Sequence, residues 1–173
     1  MNYRKIILHV NDDPQLTRLV AQHLQPLGYE LTSLNDPTQA LRMLGQSHYR
    51  LVLLDIDMPR VNGLELLRKI NRTHSGSQVI MLSGLVSMLT LLQSYRWGAE
   101  HCIFKPLLSV APLLEAVAAV FRKIDHWHSA LEQLHAQPRV ADSGDGWQFS
   151  ITALDVPVSQ LLAPAGQLPP CRG

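Results

Sequence analysis

Four apolar residues in a row, Leu51, Val52, Leu53 and Leu54, run straight into an acid, Asp55. A run this short and this uniformly apolar reads as a strand buried on both faces. Strands of that kind belong to parallel sheets covered by helices on both sides. Open sheets of this type bind their ligands outside the carboxyl ends of the strands. Asp55 therefore stands where such a sheet presents its working groups. Asp57, Met58 and Pro59 follow, and Gly63 opens the next periodic segment.

Helical and strand patterns alternate on either side of this run. Ile6–Val10 reads as the first strand, and Asp12 or Asp13 can cap the helix after it, with Pro14 in its first turn. Leu16, Leu19, Val20 and Leu24 recur at helical spacing until Gly28 closes the element. Residues 29–34 alternate as a second strand. Asp36 caps the next helix, Pro37 opens it, Ala40, Leu41 and Leu44 give it an apolar face, and Gly45 ends it. The spacing of Leu64, Leu67 and Ile70 predicts a helix over residues 63–72. Residues 78–82 read as a fourth strand, residues 85–97 as a helix ended by Gly98, and His101–Phe104 as a short fifth strand before Lys105-Pro106. The last helix starts at Ser109 or Val110 and runs past Trp127 to about His135.

This alternation implies an α/β fold with a parallel, doubly wound sheet. Crossover handedness puts all five strand ends on one rim. The expected strand order is 2-1-3-4-5, with the first and third strands as neighbours at the switch point. Residues 1–125 form the main domain, and 126–137 extend its last helix. Residues 138–173 are rich in Pro and Gly and form an irregular tail, flexible or docked, too short to bury a stable core alone.

Several classes of function are excluded at this level. The formal net charge is +1 with no block of like charge, so no nucleic-acid footprint is expected. The two cysteines, Cys102 and Cys171, lack metal-type spacing. Arg4 and Lys5 are followed only by Ile6, Ile7 and Leu8, which is no signal peptide. The longest apolar stretch is broken by Ser83, Gly84, Ser87 and Thr90, so neither a membrane span nor a membrane partner is expected and the cytoplasm is the expected location.

Five positions converge on the expected rim: Asn11 and Asp12 after the first strand, Asp55 after the third, Ser83 after the fourth and Lys105 after the fifth. Two carboxylates a few ångströms apart repel by roughly 4 kcal/mol at an effective dielectric near 20. A hard divalent cation cancels that repulsion. Magnesium fits best, because it accepts one or two carboxylates together with waters and phosphate oxygens. An ionised Asp in that setting can attack a phosphoryl group, with Lys105 and the Ser83 hydroxyl receiving the phosphoryl oxygens.

Taken together, Val10-Asn11-Asp12-Asp13-Pro14, Leu54-Asp55-Ile56-Asp57-Met58-Pro59 with Gly63, Leu82-Ser83-Gly84, Gly98-Ala99-Glu100 and Lys105-Pro106 closely resemble the receiver domain of two-component response regulators. The resemblance covers roughly residues 3–122. It implies that Asp55 is the phosphate acceptor, charged by a sensor histidine kinase with Mg2+. It aligns Asp12 with the direct metal ligand, Asp57 with the residue lending its backbone carbonyl to the metal, and Asn11 with an acid that holds the metal through water. Ser83 aligns with the switch hydroxyl and Lys105 with the phosphoryl-pairing lysine, and the bond before Pro106 is expected to be cis. Asn11 and Cys102 depart from the family pattern: one removes a charge, the other replaces an aromatic. The catalysis implied is transfer onto the chain's own Asp55, so the chain is a signalling domain rather than an enzyme.

Other features have plainer readings. His9, on a buried strand, reads as a satisfied core histidine. His48, His74, His101, His126, His128 and His135 form no designed metal site. Leu85, Val86, Met88, Leu89, Leu91 and Leu92 leave the fourth helix without a charge before Arg96, which suits a homodimer or output-protein surface, or a face covered by other parts of the chain. Trp127, Leu131 and Leu134 continue the apolar positions of the last helix. Trp147-Gln148-Phe149 with residues 161–166 resembles the opening strands of a winged-helix output domain. Two alternative functions stand beside the leading one. Asn11 and Cys102 suit a phosphate-independent interaction module, and Asp55-Ile56-Asp57 resembles the paired acids of haloacid-dehalogenase-like phosphohydrolases.

Overall fold

A computed structural model describes residues 3–74, 76–84 and 86–136. The expected tail, its winged-helix likeness, Cys171 and Leu85 lie outside the described residues.

The elements in chain order are β1 (Ile6–Val10), α1 (Pro14–Leu24), β2 (Glu30–Leu34), α2 (Ala40–Gln46), β3 (Leu51–Asp55), α3 (Gly63–Thr73), β4 (Gln78–Ser83), α4 (Met88–Arg96), β5 (His101–Phe104) and α5 (Ala111–Ala136). All strand pairings are parallel and the order is β2-β1-β3-β4-β5, as expected. Side chains alternate across each central strand. Leu8, Val10, Val52, Leu54, Val79 and Met81 pack with Ala40, Leu44, Leu67 and Ile70 of α2 and α3. Ile7, Leu51, Leu53, Ile80 and Leu82 pack with Val20 and Leu24 of α1 and Val117, Val120 and Phe121 of α5. The sheet is thus wound on both sides. β3 is buried along its whole length, which is why its sequence has no polar alternation before Asp55. Among the described residues no helix is long and apolar enough to cross a membrane.

Local chemistry sets the helix starts. The Asp13 carboxylate accepts the Gln15 N–H at 2.8 Å and caps α1, with Pro14 in the first turn. Asp13 rather than Asp12 is the cap, so Asp12 is left to the rim. Asn62 accepts the Leu64 N–H and caps α3. Ser87 accepts the Thr90 N–H at 3.0 Å, which starts α4 at Met88, three residues later than its apolar pattern suggests. A short 3-10 turn, Pro37–Gln39, takes the expected first turn of the second helix. Ser109 accepts the Ala111 N–H before α5, and α5 extends to Ala136. The Lys105-Pro106 bond is cis, as the resemblance implied.

One expectation is corrected. His9 is fully buried, but neither ring nitrogen finds a hydrogen-bond partner among the described residues. The ring lies on the sheet face covered by α1 and α5, whose buried cluster is built from Leu, Ile, Val, Ala and Phe and offers no side-chain partner. Burial, with a smaller contribution from the Lys105 charge, lowers its pKa from 6.5 to about 4. Between those values the unfolded chain binds more protons than the folded one. Stability is therefore complete above about pH 6.5 and is lost as the pH falls toward 4, by an amount on the order of 3 kcal/mol. His9→Leu removes the orphaned ring at similar volume. Urea unfolding across pH 4–7 is expected to give a flatter stability profile for this variant, with the largest gain over wild type at the acid end.

Candidate functional site

The carboxyl rim of the sheet gathers the residues singled out in the sequence. Register places His9 beside Leu53 and Val10 beside Leu54, so the next step along the ladder sets Asn11 beside Asp55. Asp55 pairs with Leu82, and Leu82 with Ile103. The Lys105 N–H then donates to the Ser83 carbonyl at 2.6 Å, carrying β5 one step further along β4. Alternation assigns Asn11, Asp55 and Lys105 to the α1–α5 face of the sheet.

At the centre, Lys105 Nζ donates to both oxygens of Asp55, at 2.9 Å and 2.8 Å. Asp55 is 1% exposed and the Lys105 side chain 22%. Burial raises the Asp55 pKa above its ordinary value. The hydrogen bond and charge of Lys105 oppose that rise, as does the Asp57 N–H, which points at Asp55 Oδ1 over 3.4 Å. The nearby Asp12 charge adds to the rise, and Asp12 itself is exposed on the rim.

Around this pair the backbone is closely fitted. A Cβ on Gly63 would stand 2.0 Å from the Asp55 carbonyl oxygen and 2.6 Å from Ile56 Cα. Only glycine lets the start of α3 meet the end of β3 there. Arg60, in the same connection, adopts a left-handed φ of 71°. Asn11 is fully buried. Its Oδ1 accepts the Asp13 N–H at 2.7 Å, while its Nδ2 has no partner among the described residues. Ser83 is fully buried at the end of β4. Asp57 is exposed, and its Oδ2 accepts the Gly84 N–H at 3.1 Å. Beside the pair lies a groove of about 520 Å³, lined by Leu16 and Leu19 of α1 and by Gly84, Lys105, Pro106 and Leu107.

Sequence reasoning selected Asn11, Asp12, Asp55, Ser83 and Lys105, and the fold carries all five to the same rim. It missed the side-chain bond from Asp57 to Gly84 and the orphaned His9 one step below Asn11. No local pattern signals either, because each depends on which loop or strand lies alongside. Among the described residues no three His, Cys, Asp or Glu side chains cluster closely enough to enclose a metal. The oxygen atoms at this rim come from the carboxylates of Asp12, Asp55 and Asp57, from Asn11 Oδ1 and the Ser83 hydroxyl, and from main-chain carbonyls.

The comparisons with known proteins agree with one another. The family profile described as "Response regulator receiver domain" matches residues 7–118. The transcriptional regulatory protein CpxR of Escherichia coli is 35% identical over 121 residues, which cover 70% of this chain and 50% of that protein. A CpxR homolog of Haemophilus influenzae is 33% identical over 117 residues, covering 68% of this chain and 50% of its own. The chain thus spans about half the length of the curated relatives it matches. The response regulator TrrA of Thermotoga maritima, solved in complex with Mg(2+)-BeF, superposes with a TM-score of 0.61 at 31% identity, covering 67% of this chain and 98% of that one. A CheY-like receiver domain protein from Methanospirillum hungatei gives 0.65 at 30% identity, covering 74% and 99%.

The raised Asp55 pKa has a stability consequence. Between the unfolded value and the higher folded one, the native chain holds more protons, so stability falls as the pH rises through that window and stays lower above it. Asp55→Asn keeps the shape and removes the buried charge. Its thermal midpoint is expected to exceed that of wild type by a few degrees at pH 7, with the advantage vanishing below about pH 3.8, where both proteins are neutral at this site.

Proposed function

The chain belongs to the family of response regulator receiver domains, and on that premise we propose that Asp55 accepts a phosphoryl group from a sensor histidine kinase, with Mg2+, and that the modification switches a partner surface built on α4, β5 and α5. A receiver domain is a signalling module rather than a classical enzyme, and membership implies a cognate histidine kinase. The observation that carries the reading is the bidentate Lys105–Asp55 pair at a buried strand end.

The chemistry needs little beyond alignment and charge balance. An ionised Asp55 oxygen attacks phosphorus. A new O–P bond forms as the donor's N–P bond breaks, and the electron pair leaves with the donor imidazole. Lys105 offsets part of the cost that burial sets on the ionised carboxylate, then turns its charge to a phosphoryl oxygen. The Ser83 hydroxyl donates to another. The groove between α1 and Pro106-Leu107 gives the donor access beside Asp55.

The donor set fits magnesium. Asp12, Asp55 and the Asp57 carbonyl offer only hard oxygens, and Asn11 would hold a metal-bound water through its Oδ1, which has a second lone pair beside the one that accepts the Asp13 N–H. These residues would hold the ion, which when bound neutralises charge between the carboxylates and the entering phosphoryl oxygens. With Asn at position 11 one negative charge is absent, and affinity is correspondingly weaker.

For the output surface, α4 supports the reading through an inverted distribution. Thr90 and Ser94 face inward, whereas Met88 (69%), Leu89 (66%) and Leu92 (59%) are exposed. An apolar face turned outward suits a second copy or an output protein.

Incubation with acetyl phosphate and Mg2+ is expected to add one hydroxylamine-sensitive phosphoryl group by intact mass. Asp55→Asn and removal of Mg2+ by EDTA should each abolish it. An unlabelled wild type, or a fully labelled Asp55→Asn, would leave the phosphate-independent module as the better reading. Asn11→Asp is expected to tighten Mg2+ binding about tenfold by titration calorimetry, since it restores a charge a few ångströms from the ion.

A further inference from the structure

The Asp57 side chain has no part in the phosphoryl chemistry above, which uses only its carbonyl. Yet the carboxylate is engaged. Its Oδ2 reaches from the β3–α3 connection to the β4–α4 connection and accepts the Gly84 N–H at 3.1 Å. On its other side the Asp57 N–H points at Asp55 Oδ1 over 3.4 Å. One residue therefore touches both the acceptor and the main chain immediately after Ser83.

Gly84 lies three residues before Ser87, the cap of α4. The helix beyond it is lightly held. Its inward side is Thr90 and Ser94, with Ser94 Oγ bonded to the Thr90 carbonyl at 2.8 Å, and its large apolar residues face outward. Few large side chains anchor α4, so a tether at its base weighs more than it would under a well-packed helix.

We propose that the Asp57 carboxylate is a positioning residue: it tethers the β4–α4 connection through Gly84 in the unmodified chain, and is expelled when Asp55 carries a phosphoryl group, so that it sets how readily α4 responds. This rests on the reading of Asp55 as acceptor. The physical cause is charge. A phosphoryl group brings about −1.5 to −2 charges and three acceptor oxygens. At this range, repulsion of the neighbouring carboxylate outweighs one solvent-exposed hydrogen bond. The freed Gly84 N–H then has a phosphoryl oxygen to turn to. A neutral amide at position 57 would accept the same N–H but would not be repelled.

The test uses the full chain in a Trp127→Phe, Trp147→Phe background, so that Trp97, at the end of α4, reports alone. Beryllium fluoride is titrated at saturating Mg2+, and Mg2+ is titrated separately. Asp57→Ala is expected to lower the half-saturating beryllium fluoride concentration about three- to tenfold, and Asp57→Asn to lower it too. Neither should tighten binding of Mg2+ alone. Hydrogen exchange at the Gly84 amide in the unmodified chain should accelerate in Asp57→Ala and be partly restored in Asp57→Asn. A wild-type response with unchanged or weaker beryllium fluoride binding in both variants overturns the tether alone. No response in wild type overturns the acceptor reading, and the tether with it.

Discussion

Everything at the rim depends on one ion pair, between the ammonium of Lys105 and the carboxylate of Asp55, separated by 50 positions in the chain. The pair exists because β3, β4 and β5 lie side by side in register, so that the ends of the third and fifth strands open on the same edge and the same face. Burial disfavours the carboxylate, and Lys105 offsets part of that cost without cancelling it, since the Asp55 pKa stays raised. A group held in this condition is poised for chemistry. Its charge is poorly solvated and its single strong partner can change allegiance when a more negative group arrives.

The layer beneath the pair carries further unfavourable chemistry. His9 of β1 and Asn11 just beyond it bring in three side-chain nitrogen atoms that have no partner among the described residues. Elsewhere the sheet is packed with Leu, Ile and Val, which bear no such penalty. Departures from a satisfied core tend to collect where function resides. The opposing pH effects of His9 and Asp55 follow from one cause: both are buried ionisable groups, and burial favours whichever form is neutral.

The fourth helix inverts the usual rule. A surface helix turns its apolar stripe inward, but here Thr90 and Ser94 are buried while Met88, Leu89, Leu92 and Tyr95 are exposed. The Thr90 hydroxyl is within 2.8 Å of Ser87 Oγ, and the Ser94 hydroxyl bonds back to the Thr90 carbonyl and also pairs with the Cys102 thiol of β5. Such a helix is held by its ends and its backbone more than by side-chain packing. That makes the residues at its base, from Ser83 to Ser87, unusually influential.

Much of this was legible in the order of residues. Short apolar runs ending in Asp55 or leading to Lys105, and helical stripes closed by glycine, were enough for the elements and for the rim they share, because period-2 and period-3.6 patterns are local and the handedness of crossovers is nearly invariant, while the strand order was chosen among the known doubly wound orders. Boundaries were less legible. The apolar pattern of α4 begins before its cap at Ser87, and only a hydrogen bond decides where the helix starts. Contacts between separate loops were not legible at all. That Asp57 reaches Gly84, and that His9 finds no partner among the described residues, are matters of which chain segment lies within about three ångströms. Patterns along a chain encode which face a residue takes; they do not encode the partner that the opposite loop brings to it.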